Sequence, residues 1–336
     1  MIHKRNFLSR IESESFLIGI LCLIGLIPCP KPVKKRGKPY YYSPTVMLRC
    51  FIVRIWLRIP SNNALHHYFY IDNAYNRKVM KACGLDRLPD RRTFDRRFKL
   101  ISFDTKARID AMGLLFINEG LIDSCVAAVD SSLLKAKGHV WHKSSMEKNE
   151  VPCSGIDTDA RWGFSRSKGW VFGYKIHIAC GTGSLIVPLS ADLTTANISD
   201  NKMYESITAS LPYGVRYIVG DNGYDDHELC DFSRYRGHLL VFPLQKYKHT
   251  TDNNRLALLQ FYNSEYGQYV YSQRSISVEP LIEHIKDVFA IDPLPVRGFD
   301  KVRSIVLISV LLYQVMVYYN HLTGRPLRAL KHMLGS

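Results

Sequence analysis

Cys125–Ser132, CVAAVDSS, is a run of small and apolar residues that leads into an acid. With no turn former before Asp130, it reads as a buried strand, where small and β-branched side chains pack on both faces. Asp130 then stands at the strand's end. A second stretch of the same grammar, Arg216–Asp226 (RYIVGDNGYDD), delivers Asp221 from an apolar strand and turns at Asn222-Gly223. A third acid, Glu279, opens the amphipathic segment Val278–Phe289 (VEPLIEHIKDVF). Three carboxylates far apart in sequence, two at strand ends and one at a helix start, suggest a single metal site, because hard divalent cations take oxygen ligands.

Each acid has a plainer reading beside this one. Asp130 can cap a turn with Ser131 and Ser132, and Asp221 before Asn-Gly is ordinary turn chemistry. Pro280 suits the first turn of a helix and biases its predecessor away from helical angles, which puts Glu279 at or just before a helix N-terminus. There the helix dipole favours the ionised carboxylate. Val278, Leu281, Ile282, Ile285 and Phe289 form the buried stripe, while Glu279, Glu283 and Lys286 share another face. Glu283 is therefore the nearest rival to Glu279, and Asp123 and Asp157 are weaker substitutes.

Around these acids the chain is strand-rich. Trp170–Cys180 (WVFGYKIHIAC) alternates apolar and polar residues, Gly183–Asp192 reads as its neighbour, and His238–Leu244 completes the strands. Asn197–Leu211 and Asp225–Gly237 read as helices between them, and residues 244–272, polar and Tyr-rich, as an insertion or loop. Strands followed by alternating helices and strands predict an α/β layered domain. The polar stretch before residue 168 carries Lys135, Lys137, Arg161, Arg166 and Lys168, either phosphate contacts or a solvated loop. Trp141, Trp162 and Trp170 suit core or lid packing better than stacking on a displaced base. His139, His142 and His177 lack metal-ligand spacing.

The chain has 336 residues and a formal net charge of +15. Between residues 31 and 100 there are 17 Lys and Arg against four Asp, a net of +13, so nearly all the excess lies in the N-terminal third. Such a concentrated basic module fits an anchor for a polyanion. Lys31–Pro39 (KPVKKRGKP) is irregular by its prolines and glycine; its Arg36 either enters a minor groove or rides in a solvated linker. Ser43-Pro44 caps a helix whose stripe is Val46, Met47, Cys50, Val53 and Leu57, with Arg49, Arg54 and Arg58 outside it. Ser61 starts another helix. Asp90 caps a third, bearing Arg91, Arg92, Arg96, Arg97 and Lys99 over an apolar face of Phe94 and Phe98. Three short helices with arginines on the last suggest a helix-turn-helix-like DNA reader.

Eight cysteines show no CxxC pair and no ligand spacing with histidine, so a reducing cytosol without disulfides or zinc is expected. Two apolar runs fall short of the roughly 20 residues that span a bilayer. Phe16–Ile27 is closed by Pro28 and Pro30, and Ile305–Tyr319 contains Ser309 and Gln314; both read as buried helices of a soluble protein without a membrane partner.

The series VDSS, GYKIH, VGDNGYDD and R-x4-E-x6-K, with a basic helical module in front, resembles the DDE transposases of bacterial and archaeal insertion sequences, most closely the four- and five-type group. The likeness spans roughly residues 40 to 320; each motif is short, and their order makes the combination specific. It implies a ribonuclease-H-like mixed sheet flanked by helices behind an all-α DNA-binding module. The expected domains are 1–118 (DNA binding), 119–320 (catalytic) and a basic tail, 321–336. By the resemblance Asp130, Asp221 and Glu279 are the catalytic acids and metal ligands, with Asp130 bridging two Mg²⁺ ions (Mn²⁺ as a substitute). Lys286, Arg274 and Tyr271 match its DNA-contacting positions, although four residues separate Arg274 from Glu279 where the four-type pattern has three.

The activity so implied is cleavage at terminal inverted repeats of double-stranded DNA and transfer of the 3′-hydroxyl strand to a target. A homodimeric synaptic complex in a prokaryotic cytoplasm, on the nucleoid, would perform it. Two competing readings remain: a catalytically retired DNA-binding regulator, and a Mg²⁺-dependent endonuclease that cuts without joining.

Overall fold

The computed structural model describes residues 15–27, 40–212, 214–244 and 252–335. Arg36 and its basic strip lie outside the described residues. In chain order the chain forms α1 (Phe16–Ile24), α2 (Pro44–Trp56), α3 (Asn62–Tyr70), α4 (Ala74–Cys83), α5 (Arg91–Leu100) and α6 (Ser102–Asn118). Strands β1 (Asp123–Lys135), β2 (Arg161–Ser165), β3 (Gly169–Thr182), β4 (Pro188–Thr195) and β5 (Tyr217–Val219) follow. Then come α7 (His227–Tyr235), β6 (Leu239–Val241), α8 (Asn253–Asn263), α9 (Glu265–Phe289) and α10 (Phe299–Leu322).

These elements divide into two compact units. The helical unit takes the described residues up to Met112, Val288–Ala290, and those from Gly298 onward; the sheet unit takes Gly113–Asp287 and Ile291–Arg297. The boundaries differ from those expected at residues 118 and 320. Nothing in the apolar sequence of α10 says which core it joins. Its residues from Val302 to Leu322 are almost all buried, and Gln314 donates to the Ile109 carbonyl at 3.0 Å. By length and composition α10 is the one helix among the described residues that could cross a bilayer, yet 94% of its most apolar window is buried in protein.

In the helical unit the expected caps form. Ser43 accepts from Val46 N at 3.2 Å, Ser61 from Ala64 N at 3.1 Å and Asp90 from Arg92 N at 2.8 Å, each satisfying an amide that the helix leaves unpaired. Two further helices, α4 and α6, were not expected. The signals for α4 are local: Asn73 caps its start, and Gly84, at φ +81°, ends it in a Schellman motif with Leu85 N on Met80 O at 3.0 Å. Phe94 and Phe98 of α5 pack on Phe51 of α2, with ring centroids 6.3 and 4.8 Å apart. Arg54, placed outside the α2 stripe by its charge, is buried. It donates to Ile59 O, Pro60 O and Asn62 Oδ1 at 3.2, 3.1 and 3.0 Å, tying down the α2–α3 turn.

The sheet unit is a six-stranded mixed sheet. β1 pairs antiparallel with β3 and parallel with β5, and β5 pairs parallel with β6. The far edge of β3 carries β2 along its first half and β4 along its second. The path β4–β3–β1–β5–β6 is the ribonuclease-H-like order. β5 and β6 are short, three residues each, and apolar, as suits parallel strands. Residues 253–263 and 265 onward, expected as an insertion or loop, are helical. Asp252 caps α8 through Asn254 N at 2.9 Å, and Arg255 reaches the buried Asp225 carboxylate at 2.6 Å. Their polar outer faces concealed the helical period.

Candidate active site

β1 does not stop at Asp130. It runs to Lys135, with Asp130 opposite Ile178 and Ser132 opposite Ile176 on β3, because the longer neighbouring strand goes on supplying hydrogen-bond partners. On the other side, the last paired residues of the parallel ladder are Ala128 and Val219. Asp130 and Asp221 each lie two residues further on. The strand period of two therefore brings both acids to one level of adjacent strands. Asp221 Oδ1 accepts from Gly223 N at 2.8 Å and caps the following turn. A Cβ at Gly223 would lie 2.9 Å from that oxygen, so the glycine lets the loop close on the acid.

Glu279 lies in the interior of α9, not at a helix start. Pro280 is tolerated there because it is exposed, and Ile276, whose carbonyl loses its amide partner, is 59% exposed and open to water. Continuing the helix backward places Arg274 beside both acids. Its Nη2 donates to Asp130 Oδ2 at 2.8 Å and its Nη1 to Glu279 Oε1 at 2.9 Å. The additional residue between Arg274 and Glu279 does not part them. Tyr271 stands at the margin, its ring 5.2 Å from that of Tyr262; burial raises its pKa, and the charges of Arg274, Asp221 and Glu279 all reach it.

Burial pushes the Asp130 carboxyl up to about 6. Arg274 and the Ser131 amide pull the other way, while the Asp221 and Glu279 charges add to the rise. For Arg274 burial favours the neutral form, and the Asp130, Asp221 and Glu279 carboxylates overcome it, holding the guanidinium above its ordinary value. Three acids from distant parts of the chain thus share one electrostatic environment.

Seven residues after Glu279, Lys286 is buried, and burial lowers its pKa. Its ammonium donates to Ser132 Oγ at 2.6 Å and to Glu283 Oε1 at 2.8 Å. Glu283 is also 3.6 Å from Lys168, so the rival acid is occupied by lysines. Asp157 accepts from Tyr174 Oη at 3.0 Å, and Asp123 starts β1, seven residues before Asp130. Ser132 carried no sequence signal as a lysine partner; only the ladder positions it.

Among the described residues, no three His, Cys, Asp or Glu side chains converge as closely as the ligands of one ion must. Arg274 lies between Asp130 and Glu279 instead. The donor types nevertheless fit a hard divalent cation: carboxylate oxygens without sulfur or imidazole, two of them already balanced by a positive group.

In the helical unit Arg91, Arg92 and Arg96 are exposed on α5. Arg97, expected with them, is buried, its guanidinium 3.9 Å from the centroid of the Tyr40 ring. A helix that buries Phe94 and Phe98 also turns Arg97 inward, as the period of 3.6 requires.

The sequence profile of the transposase DDE domain matches residues 122–315, more than half of the chain. Among solved structures the chain is similar to the piggyBac transposase in a synaptic complex with hairpin DNA. That match has 10% identity and a TM-score of 0.43, covering 94% of this chain and 74% of the other. Another is the pre-cleavage Mos1 transpososome, at 10% identity and a TM-score of 0.19, covering 84% of this chain and 81% of the other. No curated protein matches.

Proposed function

Because the chain belongs to the transposase DDE domain family, we propose that Asp130, Asp221 and Glu279 are the acids with which it cuts and joins DNA. The observation that carries this reading is Arg274, which bridges Asp130 and Glu279 while Asp221 and Glu279 both raise the Asp130 pKa. The three carboxylates would hold two Mg²⁺ ions, which when bound supply charge stabilisation at the attacking and leaving oxygens of a phosphodiester.

The chain's own groups do the rest. Arg274 and Lys286 offer positive charge on the same helix as Glu279 and contact the phosphates on either side of the bond to be broken. Asp130, whose carboxyl burial pushes up to about 6, would give up any proton it holds on taking a cation. The exposed arginines of α5 engage the phosphates of the element's terminal repeats. After the first cut the 3′-hydroxyl takes the place of water and attacks the target strand.

The test incubates the full chain with DNA bearing the element's own ends, in Mg²⁺ or in Ca²⁺, and follows both cleavage and joining of a labelled end to a plasmid. Cleavage and joining in Mg²⁺, absent in the Asp221→Ala variant, are expected. Equal cleavage by the variant would remove Asp221 from the site, and cleavage without joining would make the protein a nuclease.

A further inference from the structure

Outside the acids, the most unusual surface of the sheet unit is the tip of the β2–β3 hairpin. Phe164 and Trp170 face each other across the two strands, with ring centroids 5.4 Å apart, and both stay in solvent at 59% and 58% exposure. Between them lie Ser165, Arg166, Ser167, Lys168 and Gly169. The turn is closed by Lys168 N donating to Ser165 Oγ at 3.1 Å and by Gly169 at φ +69°, a conformation only glycine takes without strain. The tip is therefore built before any partner arrives. The other two tryptophans of this region are spent on the fold: Trp141 Nε1 donates to Glu150 O and Trp162 Nε1 to Trp141 O, each at 2.8 Å.

The hairpin that carries the exposed pair is basic, and the two carboxylates within reach of it, Glu283 and Asp292, are both engaged by Lys168. Residues 161–170 carry Arg161, Arg166 and Lys168 and no acid. The Lys143 ammonium lies over the Trp170 ring, 3.7 Å from its centroid. The tip is also wired to the acids. Lys168 and Lys286 share the Glu283 carboxylate at 3.6 and 2.8 Å, Lys168 reaches Asp292 at 3.7 Å, and Lys286 continues to Ser132, two residues past Asp130. Two aromatic faces among cations, next to a site for phosphodiester chemistry, match an unpaired base and its phosphate better than an apolar protein surface.

We propose that the β2–β3 tip receives a distorted DNA strand beside the active site: Trp170 and Phe164 stack on an unpaired base, and Lys168 joins Lys286 in holding the adjoining phosphate. This rests on the function proposed above and adds the element that handles the strand once it leaves the duplex.

The experiment uses the full chain in EDTA, so that no strand is cut, with two probes: a forked DNA duplex carrying aminopurine at the first unpaired position, and its fully paired counterpart. Wild type is expected to quench the forked probe and to bind it more tightly than the paired one. Trp170→Ala should lose the quenching and about 5- to 150-fold of that preference while its affinity for the paired probe is unchanged; Trp170→Phe should restore most of it. Lys168→Ala should lower the slope of log affinity against log salt by roughly 0.7–0.9. Quenching and preference unchanged in Trp170→Ala would overturn the proposal while leaving the function intact. Failure of wild type to bind either probe would instead overturn the functional reading itself. If Phe164→Glu converts a dimer to a monomer in sedimentation and the aminopurine signal stays, the pair is a contact between copies and the proposal falls.

Discussion

Arg54 in the helical unit and Arg274 in the sheet unit are both largely withdrawn from water, and their surroundings treat them in opposite ways. Arg54 donates to two carbonyls and an amide oxygen and, among the described residues, meets no carboxylate directly; burial lowers its pKa to about 10, with Asp95 opposing. Arg274 bonds two carboxylates and lies in the field of a third, and its pKa rises despite burial. A guanidinium among neutral acceptors serves the fold. One among acids balances their negative charge, and its loss would leave a buried carboxylate without a counter-ion.

The largest expected effect breaks the site and spares the fold. Asp221→Ala should lower DNA cleavage on the order of a thousand-fold or more, while its circular dichroism and melting stay close to wild type. A variant as active as wild type would leave Arg274 as one more structural arginine.

Next comes Arg54→Ala, which strands the buried Asn62 Oδ1 and frees two carbonyls at the α2–α3 turn, and should cost about 1–3 kcal/mol in urea denaturation. A similar loss is not expected from Arg274→Ala in EDTA, because Asp130, whose carboxyl burial already pushes toward the protonated form, takes up a proton when the guanidinium is removed. If both variants lose equal stability, the contrast between the two arginines is wrong.

Asp130 sharpens the comparison through pH. Its folded value of about 6 lies above the ordinary 3.8, so ionisation works against the fold. The stability it confers is fully present below about pH 4 and is lost as pH rises through 6, a difference of about 3 kcal/mol. In EDTA, Asp130→Asn should therefore gain stability relative to wild type by about that much between pH 4 and pH 8. A pH-independent difference between the two proteins would refute the assigned burial.

The smallest effects separate the arginines of α5. Arg91→Ala, Arg92→Ala and Arg96→Ala should each change stability by less than about 0.5 kcal/mol. Each engaged phosphate so lost should lower the salt slope of DNA binding by about 0.9. Arg97→Ala should do the reverse, leaving the slope alone and costing about 1 kcal/mol through its contact with Tyr40.

Much of this organisation is local and therefore readable along the chain. Three helix caps, the buried strands before Asp130 and Asp221, and the turn at Asn222-Gly223 each depend on neighbours within a few residues. The misplacements share a different cause. Pro280 signalled a helix start, and whether a helix survives an interior proline depends on solvent reaching Ile276. Charge put Arg54 and Arg97 outside, and only the packing of α2 on α5 turns them in. The stretch after residue 252 read as a loop because Arg255 finds its partner, Asp225, thirty positions away.

The sequence by itself determined which residues carry oxygen ligands, which apolar segments are strands, and where positive charge is concentrated, because composition and periodicity act over one or two turns of chain. β2, in the polar stretch before residue 168 that read as irregular, became a strand only by pairing with β3. Tertiary structure alone decided that Asp130 and Asp221 stand level on adjacent strands and that Arg274 lies between Asp130 and Glu279. It also decided that α10 belongs with the helical unit and that Trp170, of the three tryptophans in the sheet unit, faces water. Those outcomes are set by strand register and by competition for burial among segments hundreds of residues apart, and neither leaves a mark on any short stretch.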